Sequence, residues 1–240
     1  MTGAGQGVGA ETAARLAGRG ARVAVNDIAG DRSEQVVDRI TAAGGIAVSV
    51  VADVRDPDAI AEATGRVEHE LGPIDILVNN AGVPPTGFRL SPFVQTSPDE
   101  WDAYIGLSLY GVMHCTKAVL AGMIERKWGR IIAITSDAGR YGEAGMTAYS
   151  AAKAGAAGFM RALAKEVGPD GITCNCLSLG SIEPPPELRS ERDERRALRY
   201  PMRRLGRPED VAGAVVWLSV EESEWITGQT ISVNGGYVTA

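Results

Sequence analysis

The sequence predicts an α/β fold: a doubly wound parallel sheet, built as one domain over all 240 residues. Three observations carry that expectation. Short β-branched runs alternate with helical stretches along the whole chain, the pattern of a parallel sheet covered on both faces. A glycine-rich turn, Thr2-Gly-Ala-Gly-Gln-Gly-Val-Gly9, opens the chain directly ahead of a helix. The polar signatures that follow fall at the ends of the apolar runs, where such sheets place ligands. The length suits one core, and 45% hydrophobic with 22% charged residues is ordinary for a globular protein.

Taken in order, Gly3, Gly7 and Gly9 let the backbone turn tightly and approach a pyrophosphate. Ala10–Arg19 reads as a helix whose free N-terminal N–H groups would face that phosphate. Ala21–Asp27 is a short apolar run ending in an acid. An acid about 20 residues beyond such a turn takes the ribose hydroxyls of a dinucleotide. The Asp27 carboxylate would repel a 2′-phosphate, so NAD(H) is expected; a turn-forming Asp at a strand end is the alternative. Asp31–Ala43 reads as a helix closed by Gly44-Gly45, Ile46–Val51 as a strand, and Pro57–Leu71 as a helix with proline in its first turn. Ile74–Val78 is a strand leading into Asn79-Asn80-Ala81-Gly82. Residues 83–97 read as a Pro- and Gly-rich loop bordering a substrate, and 98–126 as one long helix. Gly129–Thr135 is a strand, and Thr147–Val167 a helix. Gly171–Leu177 is a further strand, and Pro184-Pro185-Pro186 breaks regular structure. Glu187–Tyr200 is a charged helical piece with Arg189, Arg192, Arg195, Arg196 and Arg199 set among acids. Arg207–Asp210 opens the next helix, and Ile226–Gly236 carries the last strand.

The stretch Ser136–Lys153 organises the rest. Tyr149 and Lys153 stand at i and i+4, on one helix face. A phenol ordinarily titrates near ~10. A neighbouring ammonium favours the phenolate, so Lys153 is expected to lower the Tyr149 pKa toward that of a working general acid or base. Ser136, at the end of its apolar run, could hold a substrate oxygen beside the phenol. Y-x-x-x-K alone is common; the upstream serine and the glycine-rich opening give it chemical meaning.

On T-G-x-x-x-G-x-G at Thr2–Gly9, N-N-A-G at Asn79–Gly82, and Ser136 with Tyr149 and Lys153, the chain resembles the short-chain dehydrogenase/reductase family along essentially its whole length. It is most similar in feel to the NAD-dependent hydroxyacyl and 3-oxoacyl thioester reductases, a likeness carried by Ser136–Arg140. The resemblance implies a Rossmann-like fold with Ser136, Tyr149 and Lys153 catalytic. It implies an NAD site drawn from Gly3, Gln6, Gly7, Val8, Gly9, Asp27, Ile28, Asp53, Val54, Asn80, Ala81, Gly82, Tyr149, Lys153 and Ile182. Gln6 stands where NADP-using members often carry a basic residue. It implies interconversion of a secondary alcohol and a ketone on a small-molecule substrate, with a lid over residues 184–204. A homodimer or homotetramer would pair the helices at 98–126 and 147–167. The alternative is an NAD-binding relative with weak or no catalysis.

Four departures from the family pattern stand out. The family's apolar strand before the glycine turn is missing, since Met1 directly precedes Thr2; an upstream extension of about 6–10 residues, the span of a short strand, is therefore expected. Ser108 stands where the family has an Asn, seven residues after Trp101, in a proton relay behind the lysine. Leu179-Gly180 replaces Pro-Gly, and Pro184 replaces a Thr at the nicotinamide end.

Composition excludes other classes. A net charge of −6 argues against nucleic-acid backbone binding. No apolar run reaches the ~18 residues of a membrane span, and no signal-peptide pattern opens the chain, so a cytoplasmic address is expected. Cys115, Cys174 and Cys176 have neither zinc nor redox spacing; reduced structural thiols are expected, and no metal site.

Overall fold

The computed structural model describes residues 1–83, 87 and 90–239. Pro84–Thr86, Phe88 and Arg89 lie outside the described residues, so much of the expected substrate-bordering loop does too. In chain order the elements are α1 (Gly7–Ala17), β1 (Arg22–Asp27), α2 (Gly30–Ala42), β2 (Ile46–Val51), α3 (Pro57–Leu71), β3 (Ile76–Asn79), α4 (Pro98–Ile105), α5 (Gly111–Arg126), β4 (Gly129–Ser136), α6 (Ala138–Tyr141), α7 (Thr147–Val167), β5 (Ile172–Leu179), α8 (Glu191–Ala197), α9 (Pro208–Leu218) and β6 (Thr230–Val233). All strand pairs are parallel, in two pieces: β1–β2, and β3–β4–β5–β6 in that order.

Side chains alternate along each strand, so each strand feeds both faces. Ile131 and Ala133 of β4, with Leu77, Cys174 and Cys176, pack beneath α3, α5 and α7. Ile132 and Ile134, with Val25, Val78 and Leu177, pack beneath α1, α2 and α9. The three cysteines are free and buried, and burial pushes the Cys115 and Cys174 thiols up to about 12.

Between β1 and β3 runs a lane that no strand fills. The first residues of the chain occupy only its end. Met1 donates its ammonium to Ala24 O (2.8 Å), Asn26 N donates to Met1 O (3.0 Å), Thr2 N to Val78 O (3.0 Å) and Ala4 N to Asn26 O (2.8 Å). These are the rungs of a parallel ladder on both sides. Beside Met1 lies an apolar slot of about 390 Å³ lined by Val23, Ala24, Val50, Leu77, Val78 and Val119, among others. Burial there holds the Met1 ammonium down to about 6, against an ordinary 8.0.

Several expectations need correction. The long helix is not regular: Gly106–Tyr110 winds as a π-helix between α4 and α5, with Ser108 in its middle. By length and composition Pro98–Arg126 is apolar enough to cross a membrane, contrary to expectation, but it turns Val112, Cys115, Val119 and Met123 into the core. The charged piece is shorter than Glu187–Tyr200: Pro186–Leu188 forms a 3-10 turn, and only Glu191–Ala197 is α-helical, opened by a Ser190–Asp193 capping box. α2 ends where expected: its C-cap is Ala43, and Gly44 follows in a left-handed conformation (φ +84). β5 continues to Leu179 because its residues are buried on both sides.

Candidate active site

Ser136, Asp27, Asn79 and Leu179 end β4, β1, β3 and β5, so the expected placement at the carboxyl ends of the strands holds. The glycine turn crosses between the two sheet pieces. Thr2 is its anchor: its hydroxyl accepts from Asn80 N (3.0 Å) and Ala81 N (3.1 Å), while Asn80 Nδ2 donates to Gly3 O (2.8 Å) and Thr2 O (3.1 Å). Glycine is required at two points of closest approach. A Cβ on Gly3 would sit 2.9 Å from Ala81 Cα, and one on Gly9 2.8 Å from Ala4 Cα. Gln6 caps α1 with its backbone only, leaving its exposed side chain unspent. The N–H groups of Gly7, Val8 and Gly9 head the helix, where no intrahelical acceptor exists. This cradle of amides, built too tightly for side chains, fits a dinucleotide pyrophosphate.

Asp27 is buried, and each oxygen is held. Oδ2 accepts from Gly5 N (3.0 Å); Oδ1 accepts from Ala29 N (3.0 Å) and Arg32 Nη2 (2.9 Å). The carboxylate therefore orients the turn. Ile28 beside it is half exposed. Asp53 is gripped by Arg55, whose Nε and Nη2 donate to its two oxygens (3.0 and 2.6 Å), and this holds the carboxyl below the usual range. Val54 turns inward: its side chain is buried against Gly111, and its carbonyl faces His114 Nδ1 at 3.0 Å. Ile182 bridges Gly206 through its neighbours, Glu183 N to Gly206 O (2.8 Å) and Gly206 N to Ser181 O (3.0 Å), so its own N–H and C=O point to the other side.

At the other end, Ser136, Tyr149 and Lys153 come together. Tyr149 is hydrogen-bonded to Ser136, whose Oγ also accepts from Ala138 N (3.2 Å). Lys153 Nζ donates to Ile134 O (2.8 Å) and lies 5.7 Å from the Tyr149 ring centroid. Gly82 is the floor beneath this ammonium, since a Cβ there would collide with Nζ. The carbonyl of Gly82 accepts from Ser108 Oγ (3.2 Å), so the serine at the relay position is buried and already committed. Tyr104 stands edge-on to Tyr149, with centroids 5.9 Å apart.

The expected lowering of the Tyr149 pKa is not what this geometry does. Burial pushes the phenol up to about 12, outweighing the Ser136 hydrogen bond, and the same burial draws Lys153 down to about 8. Desolvation penalises both charged forms and dominates each shift.

A family model described as enoyl-(acyl carrier protein) reductase matches residues 3–238. The chain belongs to the short-chain dehydrogenase/reductase family. It is 41% identical over 239 residues to the BbsD subunit of (2S)-((R)-hydroxy(phenyl)methyl)succinyl-CoA dehydrogenase from Thauera aromatica, covering 98% of this chain and 94% of the relative. It is 39% identical over 241 residues to a 3-oxoacyl-(acyl-carrier-protein) reductase from Synechocystis sp., covering 99% and 95%. It is 39% identical to the acetoacetyl-CoA reductase of Shinella zoogloeoides, covering 98% and 96%. Family membership makes the chain an oxidoreductase with a nicotinamide cofactor.

Sequence reasoning did not single out Thr2, Arg32, Tyr104 or Asp137. Thr2 was legible as the residue opening the glycine motif, and Arg32 as a cation five residues beyond Asp27. Tyr104 and Asp137 act across elements far apart in sequence, and no local spacing announces them.

Proposed function

We propose that this chain is an NAD(H)-dependent oxidoreductase that interconverts a secondary alcohol and a ketone on a hydroxyacyl or ketoacyl thioester. The observation that carries the chemistry is the Ser136–Tyr149 hydrogen bond, one helical turn from the Lys153 ammonium. Asp27 supports NAD(H) because its carboxylate stands where a 2′-phosphate would have to sit. The thioester reading rests on relatives named for CoA and acyl-carrier substrates.

Ser136 Oγ binds the substrate oxygen and fixes its distance from the phenol. Tyr149 Oη gives the proton to that oxygen on reduction and takes it on oxidation. Lys153 Nζ, held on Ile134 O, supplies the positive charge that a phenolate needs and reaches toward the nicotinamide ribose. The nicotinamide ring supplies or accepts the hydride when bound. A phenol pushed up by burial is a good reservoir for a proton; substrate and cofactor must bring the charge that draws it down again. This reading includes a cytoplasmic location, a lid over residues 184–204, and a homodimer or homotetramer paired through the helices at 98–126 and 147–167.

Tyr149→Phe keeps the ring against Tyr104 and removes the acid. Nicotinamide absorbance with a panel of acyl-CoA ketones and alcohols should show kcat lowered by about 10²–10⁴, with NADH binding retained. Unchanged turnover overturns the assignment. A second reading, NAD binding with little catalysis, is favoured by one observation: Ser108 spends its hydroxyl on Gly82 O. Saturable NADH binding without turnover across the panel would establish it.

A further inference from the structure

Directly after Ser136 stands a buried carboxylate that the reaction above does not use. Asp137 is 2% exposed, and among the described residues no cation pairs with it. Its two oxygens take one neutral donor each: Oδ1 from Ser178 Oγ (2.6 Å) and Oδ2 from Asn234 Nδ2 (2.7 Å), both donors being buried. Its backbone is equally committed, with N donating to Leu179 O (3.0 Å) and O accepting from Arg140 N (2.8 Å) and Tyr141 N (3.0 Å). A buried carboxylate is costly to desolvate, so one without a cation points to a specific positional role.

Asn234 belongs to the C-terminal segment. The same amide nitrogen donates to Val238 O (3.0 Å), and its Oδ1 accepts from Gly236 N (3.0 Å). An aromatic tie runs alongside. Tyr237 stacks on Tyr200 at 4.8 Å and stands edge-on to Tyr141 at 5.8 Å, and Tyr200 Oη accepts from Ser181 N (2.7 Å). Tyr141 closes the short helix that follows Ser136; Tyr200 lies at the base of the 184–204 segment.

We infer that Asp137 is a positioning residue: through Ser178 and Asn234 it fixes the turn that aims Ser136, and it couples that turn to the C-terminal segment beneath the lid. The inference rests on the reading of Ser136 as the group that holds the substrate oxygen. Removing the carboxylate leaves Tyr149, Lys153 and the cofactor cradle in place but loosens the serine.

The experiment compares wild type, Asp137→Ala, Asp137→Asn and Ser178→Ala, in the full chain. Each is read by melting temperature, NADH affinity by fluorescence, and kcat and KM on the best acyl-CoA substrate. For Asp137→Ala the expected result is kcat lowered at least about tenfold per folded molecule, with NADH affinity within about twofold. Asp137→Asn can keep its Oδ1 on Asn234 Nδ2 and turn its Nδ2 to Ser178 Oγ, which then accepts, so it should retain most of the kcat that Asp137→Ala loses. A lower melting temperature with kcat per folded molecule unchanged overturns the inference, since a merely structural role would give that. If Asp137→Ala does not fold, Ser178→Ala, which removes the donor to Asp137 Oδ1, decides by the same criterion. A wild type that binds NADH but turns over nothing defeats the functional reading instead, so the two failures are distinct.

Discussion

The two pieces of the sheet do different jobs and are held together differently. The four strands β3–β6 form an unbroken parallel ladder, and Ser136, Tyr149 and Lys153 rest on it. The pair β1–β2 carries Asp27 and leads to Asp53, and among the described residues its backbone hydrogen bonds toward β3 run through Met1–Ala4. The proposed seat of the chemistry is held by strand pairing. The proposed seat of the cofactor leans on the short segment Met1–Ala4. Two halves of one site thus draw on different reserves of stability.

Filling the slot should test that difference most strongly. An extended segment of alternating Val and Ala joined ahead of Met1 would continue the ladder on both sides and turn the buried ammonium into an amide that still donates to Ala24 O. Buried side chains and the added ladder hydrogen bonds should outweigh the cost of ordering the segment and raise the urea midpoint. Urea denaturation checks it, with a Gly-Ser segment of equal length giving no gain. A gain in NADH affinity larger than the gain in kcat would sharpen the contrast.

Asp27→Ala probes the cofactor half alone. It removes the acceptor for Gly5 N and frees Arg32, leaving a cation where a carboxylate stood. The ratio of kcat/KM for NAD over NADP should fall about 100-fold, as expected for losing charged hydrogen bonds and repulsion together. An unchanged ratio in steady-state kinetics would show that Asp27 does not choose the cofactor.

The smallest effect separates the halves by pH. The Met1 ammonium is drawn down to about 6 from 8.0, and Lys153 to about 8 from 10.5. For each, the unfolded chain binds more protons within its window, so stability rises with pH there; the penalty is fully present below the folded value. Acetylating Met1 should erase the rise between about 6 and 8.0 only, and Lys153→Met the rise between about 8 and 10.5 only. Each rise is on the order of 2–3 kcal/mol, read from urea midpoints across pH.

Much of this was legible in the residues. The glycine turn, Asn79–Gly82 and the i, i+4 pair of Tyr149 and Lys153 are local patterns, and local patterns survive folding. The lane between β1 and β3 was legible as well, because a glycine turn needs a strand to enter it. What escaped was long-range or electrostatic. The direction of the Tyr149 shift depends on how far α7 sinks against β4, and spacing does not report depth. The Asp137–Asn234 bond joins residues 97 apart. The π-helix at Gly106–Tyr110 leaves no composition signal, since Gly, Leu, Ser, Leu and Tyr all suit an ordinary turn.

That wide turn has a consequence for how the molecule can change. One residue more per turn than an α-helix rotates everything beyond it by about 100°. α4, which presents Tyr104 to the phenol, and α5, which presents Met123 to the core, therefore answer to separate angular settings. Drift in the lining of the substrate side need not disturb the wheel that grips the sheet, and repacking the sheet need not swing Tyr104 off the phenol.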